Sequence, residues 1–243
     1  MDTSITLLIP EKTDVEYEQV FSTWIQHGGQ IRRLGKFWIK DESLSTRRLA
    51  IYGNQAFAFV VAQIYDLELL SPDDTFIAHL DNKWTKRSIR LMQIGSLTDD
   101  DFPTFIKPVI PKIFLAGVFE NLADFKEITE GLPDTEEVLV SSIVFDIEAE
   151  ARCYIMDGLV KDMACYEGSA NLEEGEKFVS AFAATVIHEL PRVVVVDIAF
   201  SANTGWFILE FNACWGAGLN NCKAEKVIDC IIGATISKHS SNI

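Results

Sequence analysis

The sequence predicts an α+β protein, with a small α/β unit over residues 1–80 followed by a C-terminal half built on an antiparallel sheet. Two patterns predict it. In the first 80 residues the apolar runs alternate as strand, helix, strand, strand, helix, the order of a layered α/β unit. In the last hundred, β-rich runs follow one another with short turn signals between them, among them Asp157-Gly158.

Taken in order, "ITLLIP" reads as an opening strand and "DVEYEQVFSTWIQHGG" as a helix. Val15, Val20, Phe21, Trp24 and Ile25 fall on one helical face, and Gly28-Gly29 ends it. "QIRRLGKFWI" and "RRLAIYG" are expected as strands and "NQAFAFVVAQIYDLELL" as a helix. "NKWTKRSIRLMQIGSL" reads as a further helix with Lys83, Lys86, Arg87 and Arg90 on one face, either solvated or a basic patch. Phe105–Lys107 is a short strand ended by Pro108, Ile113–Phe119 another apolar segment, and "NLADFKEITEGLPDTEE" a helix followed by a loop.

The later strands are expected at "EVLVSSIVFDI", "EAEARCYIMDG" and "LVKDMACYEG", the last two joined by a tight hairpin at Asp157-Gly158. "NLEEGEKFVSAFAATVIHEL" is an amphipathic helix. "RVVVVDIAF" and "GWFILEFN" are two more strands joined by "SANT" and Gly205, and "NCKAEKVIDCIIGATIS" is a closing helix. The polar tail "SKHSSNI" is expected to fray.

A chain of 243 residues can bury a sizeable core, as one domain or as closely packed subdomains. Its composition, 48% hydrophobic and 23% charged, is that of a soluble globular protein. The formal charge of −15 argues against nucleic acid or an anionic membrane as the main partner, because like charges repel. No apolar run approaches 20 residues, so no membrane span is expected. "SITLLIPEKTD" is too short and lacks the basic region of a signal peptide. Five cysteines without a CxxC pair, set in apolar or helical surroundings, fit reduced, packed thiols and a cytoplasmic location. Cys214, Cys222 and Cys230 are evenly spaced, yet His27, His79, His188 and His239 are scattered, so a zinc reading is set aside.

One stretch breaks the apolar pattern. In "WFILEFNACWGAGL", residues 206–219, Ile208, Glu210 and Asn212 share one strand face while Phe207, Leu209 and Phe211 share the other. A buried carboxylate needs a cation, a hydrogen-bond partner or water. The neighbouring run "VVVVDIAF" carries another lone carboxylate, Asp197, and the short connection suggests that the two strands pair. Asp197, Glu210 and Asn212 would then make a three-oxygen cluster suited to one or two Mg2+ ions. The competing reading is that lysine or arginine side chains cap the two carboxylates. Arg152 sits mid-strand with Glu148 and Glu150 on its face. It is either aimed at a phosphate or carboxylate, or part of a structural ion-pair ladder. Lys107 in "FIKP" ends a strand and Lys112 follows closely, and these lysines are further cations for an anionic ligand.

In order, "FIKP", "VLVSSIV", "EAEARCYIMDG", "VVVVDIAF" and "GWFILEFNACWGAGL" resemble the ATP-grasp superfamily, and most closely its compact clade named for two arginines and a lysine. The resemblance covers about residues 80–235, with "YGNQAFAFVVAQIYDLELLSPDD" similar to the small α/β domain preceding the grasp. It implies an N-terminal pre-grasp domain at 1–80, a first grasp subdomain at 81–136, and a second at 137–243 with the metal site. ATP would be clamped by the two subdomains. Lys107 would hold the α/β-phosphates, assisted by Lys112, and the backbone of Leu139, Val140 and Ser141 would meet the adenine edge. Glu150 and Arg152 match the family's acid–x–arginine strand, with Arg152 facing the γ-phosphate or an acyl phosphate. Asp197, Glu210 and Asn212 would hold Mg2+, the last two matching the E-x-N signature. The family's glycine-rich loop after the first lysine is reduced here to Gly117, and Lys161 is assigned in place of a catalytic arginine.

The resemblance implies an ATP- and Mg2+-dependent ligase that activates a carboxylate as an acyl phosphate and passes it to an amine or thiol. Its substrates would be small molecules or peptides. Two rivals remain: an MgATP-binding protein without catalysis, and an acidic interaction protein with no nucleotide site.

Overall fold

The computed structural model describes residues 3–12 and 14–238. The first half of the chain runs β1 (Thr6–Pro10), α1 (Val15–Gln26), β2 (Gln30–Leu34), β3 (Leu49–Ile51), α2 (Gln55–Tyr65), β4 (Leu67–Leu69), α3 (Asn82–Thr85), β5 (Ile89–Gln93), β6 (Thr104–Pro108), β7 (Gly117–Phe119) and α4 (Leu122–Ile128). It continues through β8 (Glu137–Ser141), β9 (Ala149–Met156), β10 (Leu159–Gly168), α5 (Leu172–Val186), β11 (Val193–Ser201), β12 (Gly205–Asn212), α6 (Ala224–Ile232) and β13 (Thr235–Ser237). Among the described residues no helix is long and apolar enough to cross a membrane.

Two compact units result. The first is assembled from Met1–Pro72, Ala149–Ile198 and Glu210–Ile243, the second from Asp73–Glu148 and Ala199–Leu209. In the first unit β1 is the centre of a parallel sheet ordered β2-β1-β3. Its residues Thr6 to Ile9 are all buried, which explains its unbroken apolar sequence. Asp14 caps α1 by accepting from the Glu16 and Tyr17 amides, and Asn54 caps α2 in the same way, through the Phe57 amide. Trp24 of α1 is fully buried and donates its indole N–H to the Gln30 carbonyl at 3.1 Å. Leu7, Ile9, Phe57, Val61, Val195, Ile228 and Ile231 belong to one continuous core.

The second unit centres on a sheet ordered β5-β8-β6-β7, in which each neighbouring pair runs antiparallel. Its core gathers Ile106, Phe119, Phe125, Val138 and Val140. A further sheet is ordered β10-β9-β11-β12. Asp157 and Gly158 both take left-handed φ, 52° and 76°, and turn β9 into β10 as their sequence predicts.

The structure revises several expectations, the strand expected over "QIRRLGKFWI" ending already at Leu34. The helix expected over "NQAFAFVVAQIYDLELL" stops at Tyr65, because Asp66 adopts φ 52° and Leu67–Leu69 pair with Thr235–Ser237 instead. The helix expected over "NKWTKRSIRLMQIGSL" is a single turn. Lys86 ends it at φ 52°, and Ile89–Gln93 is a strand paired to β8. Its basic residues consequently part company: Arg90 pairs with Asp101 at 2.8 Å, and Arg87 turns into the protein. The strand expected to run through Ile147 leaves the sheet after Ser141. The closing helix expected over "NCKAEKVIDCIIGATIS" stops at Ile232, because Thr235–Ser237 pair with β4 as a strand. Of the tail expected to fray, residues 239–243, His239 included, lie outside the described residues.

Candidate functional site

Three adjacent strands, β9, β11 and β12, bring a set of polar side chains together. Asp197 of β11 is 1% exposed and receives a two-pronged guanidinium: Arg152 Nε donates to Oδ1 at 2.9 Å and Nη2 to Oδ2 at 2.7 Å. The third prong, Nη1, donates to the Gly218 carbonyl at 2.8 Å. Asn212 Nδ2 lies between the two carboxylates, 3.0 Å from Asp197 Oδ2 and 3.1 Å from Glu210 Oε1. The strand alternation that places Glu210 and Asn212 on one face therefore brings both to Asp197.

The electrostatics follow from burial. Burial pushes the Asp197 carboxyl above its ordinary value; the Arg152 guanidinium pulls against this and Glu210 adds to it. Burial alone would lower the Arg152 guanidinium, but its bonds to Asp197 and that residue's charge raise it, so the arginine stays charged. Both readings of Arg152 meet here: it is an ion-pair partner, and it is a guanidinium held in one direction. Its partner is Asp197, since Glu150 turns to Tyr166, whose hydroxyl donates to Glu150 Oε2 at 2.6 Å. Glu148 accepts from the Ala202 amide at 2.8 Å. The Tyr166 ring stands 6.0 Å from the Arg152 guanidinium carbon.

Two carboxylates and a side-chain amide on adjacent strands are a hard-oxygen set, and it fits Mg2+. Asn212 presents its nitrogen to the carboxylates, and a half-turn of the amide presents Oδ1 in its place. Among the described residues no group of three or more His, Cys, Asp or Glu could hold a metal ion. Cys153, Cys214, Cys222 and Cys230 are buried, and burial pushes the Cys222 thiol up to about 12. Lys161 is exposed, at the point of β10 where the register slips between Val160 and Asp162, a bulge that takes it out of the regular ladder.

The remaining expected residues lie in the second unit. Lys107 of β6 pairs in register with Leu139 of β8. Burial pushes the Asp74 carboxyl up, and the Lys107 charge opposes it. Lys112 is exposed in the β6–β7 connection, with φ 70°. Leu139, Val140 and Ser141 are not an open edge: β5 pairs with them on one side and β6 on the other. The Ser141 carbonyl also accepts from the Thr104 hydroxyl at 2.8 Å. The backbone leaves the sheet beyond this point.

Sequence reasoning also missed Arg87. Its guanidinium donates to the Ile208 carbonyl at 2.7 Å, the Leu209 carbonyl at 3.0 Å and Ser141 Oγ at 3.1 Å, and burial lowers it to about 10. It fastens the strand that leads directly to Glu210. The helical reading of residues 82–97 hid it among surface cations. Tyr166 and Gly218 carried no signal of their own.

Known proteins share both the sequence pattern and the fold. The family model of an ATP-grasp domain, family 2 of the clade named for two arginines and a lysine, matches residues 84–230. No curated protein matches the chain in sequence. Among solved structures, D-cycloserine synthetase DcsG superposes with a TM-score of 0.64 at 13% identity, covering 94% of this chain and 99% of that one. D-alanine–D-alanine ligase from Bacillus anthracis complexed with ATP gives 0.58 at 14% identity, covering 96% and 97%. The ATP-grasp ligase PsnB, complexed with a phosphomimetic variant of its minimal precursor, Mg and ADP, gives 0.56 at 13% identity, covering 96% and 98%. At these identities the likeness is one of fold.

Proposed function

The chain belongs to the ATP-grasp family, in family 2 of the clade named for two arginines and a lysine, and from that premise we propose that it is an ATP-dependent ligase joining a carboxylate to an amine or thiol through an acyl phosphate. The observation that carries the proposal is the unbroken contact series Arg152–Asp197–Asn212–Glu210, in which a directed guanidinium stands beside a hard-oxygen set.

In this reading Asp197, Glu210 and Asn212 hold Mg2+, which neutralises phosphate charge when bound. Arg152, held by Asp197 and the Gly218 carbonyl, faces the γ-phosphate and then the acyl phosphate. Lys107 holds the α/β-phosphates, with Lys112 assisting from the β6–β7 connection. Glu150 contributes to the nucleotide side, and Lys161 supplies a further cation. The adenine edge is met by the backbone just past Ser141, at Ile143 and Val144, where the chain has left the β8 ladders. The substrate carboxylate attacks the γ-phosphorus and ADP departs; the amine or thiol then attacks the acyl carbon and phosphate departs. Positioning and charge supply the catalysis, so no nucleophilic side chain is needed. The carboxylate is that of an amino acid, a peptide or a protein.

A second reading draws on the Arg152–Asp197 fork, which satisfies the buried carboxylate without any ligand. In that case the corner is a structural ion pair and the protein binds no nucleotide. A thermal-shift titration with ATP, with and without Mg2+, on the wild type and on Glu210→Ala separates the two. A ligand that binds only the native state at a hundred times its Kd stabilises by about 2.7 kcal/mol. The ligase reading expects a Mg2+-dependent rise in melting temperature that Glu210→Ala abolishes. No rise at millimolar MgATP, or a rise that survives in the variant, removes the metal assignment.

A further inference from the structure

The loop that follows β12 is pinned from an unexpected direction. Glu16, in the first turn of α1, accepts from two consecutive backbone amides: Oε2 from Leu219 N at 3.0 Å and Oε1 from Asn220 N at 2.9 Å. Asn220 and the next residue, Asn221, hold left-handed φ of 45° and 69°. Asparagine is among the few side chains that enter that region readily, and the Glu16 carboxylate fixes the loop through the two amides it accepts from. The carboxylate seats directly against Gly218, where an added Cβ would lie 2.5 Å from Glu16 Oε2.

What the loop carries gives this clamp its meaning. The Gly218 carbonyl accepts from Arg152 Nη1 at 2.8 Å and from the Tyr154 hydroxyl at 3.0 Å, and the Ala217 carbonyl accepts from the Tyr52 hydroxyl at 3.0 Å. Two of the three nitrogens of the Arg152 guanidinium bind Asp197, and Gly218 fixes the third. The direction of the fork thus depends on where the Gly218 carbonyl stands, and Glu16 holds the two residues after it. All of these groups lie within the first unit.

We infer that Glu16 is a positioning residue for the metal and phosphate corner, acting through the Leu219–Asn220 amides and the Gly218 carbonyl on Arg152 and Asp197. The inference rests on the nucleotide reading of that corner. Removing the carboxylate frees the loop, lets the Arg152 fork tilt, and loosens Asp197 as a ligand. Outer groups that orient metal ligands typically change metal affinity by about ten- to a hundredfold when removed.

The test measures Mn2+ binding by electron paramagnetic resonance in the presence of ATP. It compares the wild type, Glu16→Ala, Glu16→Asp, Gly218→Ala and the control Gln19→Ala, each well below its own melting temperature. Gly218→Ala leaves the carboxylate in place but pushes it off its seat, so it perturbs the same contact by different chemistry. The expected result is a Mn2+ affinity about tenfold or more weaker in Glu16→Ala and Gly218→Ala, unchanged in Gln19→Ala, and partly restored in Glu16→Asp. A residue that only stabilised the fold would lower the melting temperature without weakening Mn2+ affinity in the folded protein. That outcome, with wild-type binding intact, overturns the role of Glu16 and leaves the nucleotide reading standing. Absence of Mn2+–ATP binding by the wild type overturns both.

Discussion

Replacing Arg152 with methionine tests the polar corner most directly. The substitution keeps much of the packing of the long side chain but strips Asp197 of two hydrogen bonds, at 2.9 and 2.7 Å, and of its counter-charge. Asp197 is 1% exposed beneath the arginine and keeps the Asn212 amide at 3.0 Å, which supplies no charge. The Gly218 carbonyl keeps the Tyr154 hydroxyl at 3.0 Å, so its loss is the smaller one. Breaking a buried pair from one side costs about 3–5 kcal/mol. In a chain of this size each kcal/mol moves the melting temperature by about 2–4 °C, so a fall of roughly 6–20 °C is expected. Replacing both partners, as Arg152→Met with Asp197→Leu, should recover most of it, because no charge is then left buried.

The pH dependence of Arg152→Met has a definite sign. Asp197 already titrates above its ordinary value, and Arg152 opposes that rise. Without the arginine the folded-state value climbs further, so the folded protein takes up a proton that the unfolded chain does not. Its contribution is retained at low pH and lost as pH rises through the folded-state value. The deficit relative to wild type should therefore be larger at pH 8 than at pH 5. Circular-dichroism melts at both values measure it. A single-variant loss below about 1 kcal/mol, or a double variant no better than the single, would refute the account of a buried, mutually dependent pair.

Lys107→Ala should weaken ATP binding by about ten- to a hundredfold, the size of one charge-assisted phosphate contact. Titration calorimetry reads this, and an unchanged affinity removes Lys107 from the phosphate site. Gly158→Ala should cost about 1–2 kcal/mol, because residue 158 sits at φ 76° and its Cβ would meet Ile187 Cδ1 at 2.6 Å. A melting temperature equal to wild type would contradict the left-handed hairpin turn.

Much of the chemistry was legible because it follows from strand alternation. A carboxylate and an amide two residues apart must share a face, so "EFN" announced a polar corner, and Asp197 stood out among valines in the neighbouring strand. The Asp157-Gly158 turn and the opening strand are local in the same sense: the residues involved are close in sequence and their preferences suffice. Periodicity misled where distant pairing overrode it. Residues 82–97 carry a helical spacing of cations, yet β8 offers Ile89–Gln93 an open edge, and the ladder wins after one helical turn. Leu67–Leu69 continues a helical pattern, yet Thr235–Ser237, from the other end of the chain, takes it into a sheet.

What only the tertiary structure decided is which polar group meets which. The sequence by itself set the fold class, through the order and alternation of its apolar runs, and the family, through the resemblance of its motifs taken in order. It could not tell that Arg152 would face Asp197 while Glu150 turned to Tyr166, that Arg87 would fasten the Ile208 and Leu209 carbonyls, or that Glu16 would close on Leu219 and Asn220. Those contacts span from 16 residues to more than 200 along the chain. Nothing in the local backbone preference specifies them. They form because burial leaves each charge and each amide in need of a partner, and folding brings those partners within reach.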